Sequence, residues 1–220
     1  GCEQSKPEIL DTKYRMQFTY DGGTGNITQQ LAIQVAVESR EMADDISTLN
    51  LFAEQSALSW TISSEKLAVT ETGDGFWIGS NSISAPRVIT RDDASTFPEG
   101  IYRVEIINNR GDVAAAEMLL PRSELYAELL AQAENRFPAL TVVRRTNSQT
   151  SISLRFNDNL LILCYDKAGN LQRGFRPDTR LILPGMEMYG FLAASSSVEL
   201  VTLDPETGAA LRTTPIPIDL

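Results

Sequence analysis

The sequence predicts a mainly β chain: an antiparallel sandwich, then a second β-rich unit that contains one α-helix. Three observations predict it. Apolar and polar residues alternate over short runs through most of the 220 residues, the period of half-buried strands. Clusters of Gly, Asn, Asp and Ser punctuate those runs as turns do. Only the stretch near 123–137 carries strong helical spacing.

The elements follow in order. Tyr14, Met16, Phe18 and Tyr20 alternate with Arg15, Gln17 and Thr19, giving a first strand; Asp21-Gly22-Gly23-Thr24-Gly25-Asn26 is a turn. Leu31, Ile33, Val35 and Val37 mark a second strand, Ser47 to Ala53 a third, and Leu58, Trp60 and Ile62 a fourth. Thr70 to Ser84 reads mainly as loop, with an apolar island at Phe76-Trp77-Ile78; Arg87 to Thr90 is a short strand. Tyr102, Val104 and Ile106 face one way and Arg103 and Glu105 the other. Asn108-Asn109-Arg110-Gly111-Asp112 is a hairpin turn, and Ala114, Ala116, Met118 and Leu120 line the return strand, with Gly111 free to take a positive φ.

After Pro121, Ser123 offers an N-cap, Leu125, Leu129 and Ala133 recur at helical spacing, and Pro138 stops the helix. Strands resume at Leu140 to Arg145, Ser151 to Phe156 and Leu160 to Tyr165, the last looking buried on both faces. Asp166 to Asn170 and Asp204 to Gly208 are turns; Leu181 to Leu183, Tyr189 to Leu192, Val198 to Leu203 and Ala209 to Thr214 are further strands. Pro215 and Pro217 make the tail a poor central strand. The expected organisation is residues 1–8 as a tether, 9–121 as the sandwich, and 122–220 as a β-rich domain opening on the helix at about 123–137.

Composition excludes several chemistries. Histidine is absent, which removes Ser-His-Asp and Cys-His nucleophile systems and histidine-ligated metal sites. The net charge of −10 disfavours phosphate-rich partners, so nucleic acid is not expected. No cofactor or metal site is expected either. The acidic pairs Asp44-Asp45 and Asp92-Asp93 lack the ligand spacing of a calcium loop and read as solvated loop charge. Gly22-Gly23-Thr24-Gly25 lacks the Lys-Ser/Thr of a phosphate loop. Arg110-Gly111-Asp112 is the integrin-binding tripeptide, but Asn, Gly and Asp are also what a hairpin tip requires. Cys164, inside an apolar run, reads as a small core side chain. Phe76 and Trp77, between glycines, are the candidate ligand contacts, an aromatic platform for a sugar or peptide; core packing is the competing explanation.

Two resemblances follow from particular residues. Gly1-Cys2, before the polar Glu3, Gln4, Ser5, Lys6 and Pro7, resembles the mature end of a bacterial lipoprotein. That implies lipidation of Cys2, attachment to the membrane through that lipid only, and a cell-envelope address, periplasmic or surface-exposed. Gly100-Ile101-Tyr102-Arg103-Val104 resembles the tyrosine corner of immunoglobulin-like domains, and Trp60 falls where such domains often bury a tryptophan. Val104 stands in place of the second domain cysteine, and the strand 31–37 has none. The resemblance is therefore to disulfide-free fibronectin type III-like and bacterial Ig-like modules. With Ile46 to Leu51, Leu58 to Trp60, Trp77 to Ser80 and Pro98 to Val104, the pattern is similar to spirochaete-type lipoproteins. It implies a module and an address, and carries no activity.

Three function classes stay open at this point. The first is a non-catalytic binding or adhesion module for a protein or glycan. The second is a periplasmic scaffold or accessory subunit. The third is a carboxylate-dependent hydrolase, which needs two acids facing a cleft.

Overall fold

The computed structural model describes residues 6–73, 75–85, 97–121, 126–144, 150–155, 159–176, 192 and 194–218. They fall in two compact units, one made of residues 6–16, 30–73, 75–85 and 97–121 and the other of 17–29, 126–144, 150–155, 159–176, 192 and 194–218. The first two strands, β1 (Asp11–Tyr20) and β2 (Ile27–Val37), contribute residues to both units.

The first unit is an antiparallel sandwich. One sheet has the order β1-β2-β6-β5, with β5 at Ala68–Thr72 and β6 at Gly75–Ser84. The other is β4-β3-β7-β8, from β3 (Ile46–Ala53), β4 (Leu58–Ser63), β7 (Gly100–Asn108) and β8 (Val113–Leu120). With strands lettered A to G, and the extra one C′, these are sheets A-B-E-D and C′-C-F-G, the order of immunoglobulin-type sandwiches. Alternation explains the inward faces: Leu49 and Leu51 on β3, Tyr102, Val104 and Ile106 on β7, and Leu31, Ile33 and Val35 on β2 are fully buried. Each contributes about 1.5–3 kcal/mol by leaving water.

The corner closes as expected. Tyr102 is fully buried, and its hydroxyl donates to the Pro98 carbonyl at 2.8 Å. The expected turn also forms: Gly111 takes φ +85°, and Asn108 Oδ1 accepts the backbone N–H groups of Arg110 and Asp112.

Four expectations are corrected before residue 85. Residues 70–84 are not mainly loop: β5 and β6 form a hairpin there. Gly79 reflects close packing, since a Cβ there would lie 1.9 Å from the Ile33 carbonyl oxygen, while Gly75 takes φ +125°. Trp60 sits on β4, half-buried, 5.3 Å from Phe97 and 6.3 Å from Tyr102 between ring centroids, with Nε1–H donated to Ser84 O at 3.0 Å. Tyr14 is exposed although it shares the period of Phe18, and the polar Gln17 is buried. A helix, α1 (Arg40–Asp45), occupies what was read as acidic loop. Ser39 caps it by accepting the Met42 N–H, and Arg40 pairs with Asp44 at 3.0 Å.

The second unit has a sheet of order β12-β11-β13-β14-β1. Its strands are β11 (Leu161–Tyr165), β12 (Leu171–Phe175), β13 (Ser197–Leu203) and β14 (Ala210–Thr213), with the last residues of β1. Most neighbours are antiparallel, but β1 and β14 run parallel, with Gln17 opposite Ala210 and Tyr20 opposite Thr213. A two-residue strand, β15 (Ile216–Pro217), pairs β13 at Ser197 and Val198. Strands β9 (Ala139–Arg144) and β10 (Thr150–Arg155) make a separate antiparallel pair. Leu160, Ile162, Cys164, Val198 and Leu200 form the core, with Leu140 and Leu154 packed against it. Only one face of β11 is fully buried, so Cys164 is a core thiol while Leu161 and Leu163 are partly covered.

The expected helix is two short ones, α2 (Ala127–Ala131) and α3 (Ala133–Arg136). Gln132 breaks the run at φ −107°, ψ 21°, and its carbonyl accepts the N–H groups of Asn135 and Arg136 to start the new turn. The helical face is as expected where described: Tyr126, Leu129, Ala133 and Phe137 are buried. Ser123, the expected cap, and the strands expected at 87–90, 181–183 and, apart from Leu192, 189–192 lie outside the described residues.

Candidate functional site

The sequence-derived site residues are placed as follows. Cys2 lies outside the described residues, as do Asp92 and Asp93. Phe76 is half-buried near the start of β6. Trp77 is 5% exposed, donates Nε1–H to Thr72 Oγ1 at 3.1 Å, and has the Lys13 ammonium 3.9 Å from its ring centroid. A ligand stacking on Trp77 would have to displace Lys13 from the ring. Asp44 and Asp45 are both engaged, Asp44 with Arg40 and Asp45 with the Asn109 side chain at 3.0 Å. Among the described residues no group of three or more acidic or cysteine side chains is placed to hold a metal. In Arg110-Gly111-Asp112 the Arg110 guanidinium sits 3.4 Å from its own Asp112 carboxylate.

A different set of residues converges on a cavity in the second unit. It begins where the parallel strands end. Beyond Tyr20 the chain leaves β1 through the turn 21–26, whereas beyond Thr213 it continues through Thr214 and Pro215 into β15. A last backbone bond, Thr214 N–H to Tyr20 O at 3.1 Å, marks the point of divergence. The gap is a cavity of about 370 Å³ between residues 20–23 and 213–217, walled by Phe137, Pro138, Ala139, Leu140 and Arg155. That volume lies within the range of small-molecule sites.

Each wall has a local cause. Phe137 closes α3, is 1% exposed, and packs its ring 5.5 Å from that of Tyr20. Pro138 then breaks the helix and directs the chain into β9, opposite β10. Arg155, the last residue of β10, donates from its guanidinium to the Glu134 backbone carbonyl. That bond uses one N–H of a fork that carries five. Across the cavity Asp21 accepts the Gly23 N–H at 2.9 Å and the Thr24 hydroxyl at 2.7 Å. The hydrogen bonds from Thr24 and Gly23 hold its carboxyl below the usual carboxylate range. The Asp21 carboxylate is therefore ionised at neutral pH.

Two polar clusters support the same unit. Asp204, fully buried, accepts from Arg136 at 2.7 Å and from the Thr207 hydroxyl at 2.8 Å and N–H at 2.9 Å. Arg136 also meets Glu206 at 2.7 Å. Burial works to raise the Asp204 carboxyl, but the bonds from Thr207 and Arg136 outweigh it and hold the group below its ordinary value. In the second cluster Glu199, 7% exposed, accepts from Arg212 at 2.7 Å and from the Tyr165 hydroxyl at 2.8 Å. Burial, helped by the Glu199 carboxylate, pushes Tyr165 up to about 12. Neither cluster has a member among the residues lining the cavity.

Sequence reasoning missed this site because a non-local strand pair creates it. Two signals lay close by: the Gly-rich turn after Tyr20, and Pro215-Ile216-Pro217 after a strand. Among the described residues no helix is long and apolar enough to cross a membrane. The chain matches no protein-family model, and no curated protein matches it.

Proposed function

We propose that this chain is a non-catalytic binding module of the bacterial cell envelope, anchored through a lipid on Cys2, whose second unit recognises its ligand in the cavity between Tyr20 and Ile216. The cavity is the observation that carries the reading. Its apolar walls, Tyr20, Phe137, Pro138, Leu140 and Ile216, suit an aromatic or aliphatic body. Arg155 at the wall suits one anionic group on that body. The Asp21 carboxylate is spent on its own turn and held ionised. A group of that kind orients a ligand better than it exchanges protons, because general acid–base work favours a pKa near the working pH.

Titration with arylalkanoic acids, reported by displacement of 8-anilinonaphthalene-1-sulfonate fluorescence, tests the proposal. Saturable binding to one site should weaken about tenfold or more in Arg155→Ala, by loss of a charge-assisted contact. Gly22→Trp should block it outright, since a Cβ at Gly22 meets nothing within 4 Å and the added ring can fill the mouth. Binding indifferent to both substitutions would remove the cavity from the account.

A further inference from the structure

We infer that the chain self-associates through the outer edge of β8, which pairs antiparallel with β8 of a second copy about a two-fold axis at Ala116. The first support is the edge itself. Among the described residues β8 pairs with β7 alone. Its sequence, Val113-Ala114-Ala115-Ala116-Glu117-Met118-Leu119-Leu120, has no Lys, no Pro and one charge. Edge strands are ordinarily blunted by those residues, and an eight-residue strand without them offers a template for another strand.

The second support is backbone direction. Asn108 N–H donates to Asp112 O, and the register runs on through Ile106 opposite Ala114 and Val104 opposite Ala116. Hydrogen-bonded pairs alternate along an antiparallel ladder. Residues 114, 116 and 118 therefore spend their backbone groups on β7, while 113, 115, 117 and 119 turn theirs to the open edge. The side chains of those same four residues are exposed.

The third support selects the occupant. Centring the pairing on Ala116 sets Val113 against Leu119 of the copy, and Ala115 against Glu117, each twice by symmetry. Val113 is 53% exposed and Leu119 is 65% exposed. Existing pairs extend these contacts into rows, because Ile101 lies opposite Leu119 and Ile107 opposite Val113. The outer row then reads Ile101, Leu119, Val113 and Ile107 across four strands and two copies, apolar throughout. The inner row reads Arg103, Glu117, Ala115 and Glu105, where Arg103 lies opposite Glu117 and 3.0 Å from Glu105. Shifting the centre to residue 117 would set Glu117 against Glu117, and shifting it to 115 would set Val113 against Glu117. Cross-strand matching disfavours both. A strand that is complementary to itself in one register points to a second copy of this chain.

The test is sedimentation equilibrium on the full chain, with Val113→Lys/Leu119→Lys beside it. A dimer should form, and the paired lysines should weaken it at least about a hundredfold with an unchanged circular-dichroism spectrum. Disulfide trapping gives a second reading that does not depend on the lysine variant. In a Cys2→Ser background, Val113→Cys chains mixed with Leu119→Cys chains should cross-link, since opposed Cα atoms lie about 5.5 Å apart. Neither variant should cross-link alone. A chain that stays monomeric, a dimer indifferent to the lysines, or cross-linking of Val113→Cys with itself would each overturn the inference.

Discussion

Tyr102 donates its hydroxyl to the backbone carbonyl of Pro98, four residues earlier, and this bond ties the loop before β7 to the core of the sandwich. Burial pushes the Tyr102 phenol well above its ordinary value. Tyr102→Phe keeps the ring and leaves the carbonyl without that donor, so it should cost about 1–3 kcal/mol in urea unfolding. The raised value also has a sign. Stability from the neutral phenols of Tyr102 and Tyr165 is fully present below the ordinary tyrosine value of about 10 and is lost as pH rises through their folded-state values. Absorbance titration should show Tyr102 and Tyr165 ionising above the ordinary tyrosine range, together with unfolding.

The buried Asp204 gives the opposite pH dependence. Its folded-state value is depressed, so its contribution is present above the unfolded value of about 4 and fades as pH falls through the folded one. Asp204→Asn should cost roughly 2–3 kcal/mol at pH 7, by weakening the bonds to Arg136 and Thr207. The difference between variant and parent should shrink in thermal melts taken toward pH 3.

Gly79 is a steric requirement. An added methyl would meet the Ile33 carbonyl oxygen at 1.9 Å and the Gln34 Cα at 2.8 Å, both backbone atoms in the paired strand β2. Gly79→Ala should therefore cost 3 kcal/mol or more, about the upper range for overpacking. Gly22→Ala, with open space around it, should be close to neutral. Paired urea titrations compare the two.

The proposed anchor is tested in cells. Cys2→Ala in the full-length precursor should move the protein from the membrane to the soluble fraction, since the proposed attachment is the lipid alone. Protease treatment of intact cells then distinguishes display outside, where the chain is degraded, from a periplasmic position, where it is protected until the outer membrane is opened.

Legibility in the sequence followed the range of the interactions. The hairpin of β7 and β8 was readable because alternation and a turn cluster are both local, and Tyr102 carried the corner with it. The turns at 166–170 and 204–208 were readable for the same reason, with Gly169 and Gly208 taking the positive φ such turns need. Helix α1 was not, because six residues with only Ala43 buried leave almost no periodic trace. Strands β5 and β6 were masked by their glycines, and the cause of Gly79 lies in β2, a partner more than forty residues earlier. The parallel pairing of β1 with β14 joins residues nearly two hundred positions apart, and no local pattern announces it. Since that pairing opens the cavity, the candidate site was the least readable part of the chain. The aromatic pair Phe76 and Trp77 was readable because its composition is local, and its packing against Thr72 and Lys13 was not.

The most direct test of the proposed function is an amide chemical-shift map of the full chain titrated with arylalkanoic acids. Saturable shifts are expected at Tyr20, Gly22, Gly23, Thr213 and Thr214, the backbone that frames the cavity, with Trp77 and Thr72 unmoved. Shifts centred on Phe76 and Trp77 and absent from the cavity would overturn the proposed function.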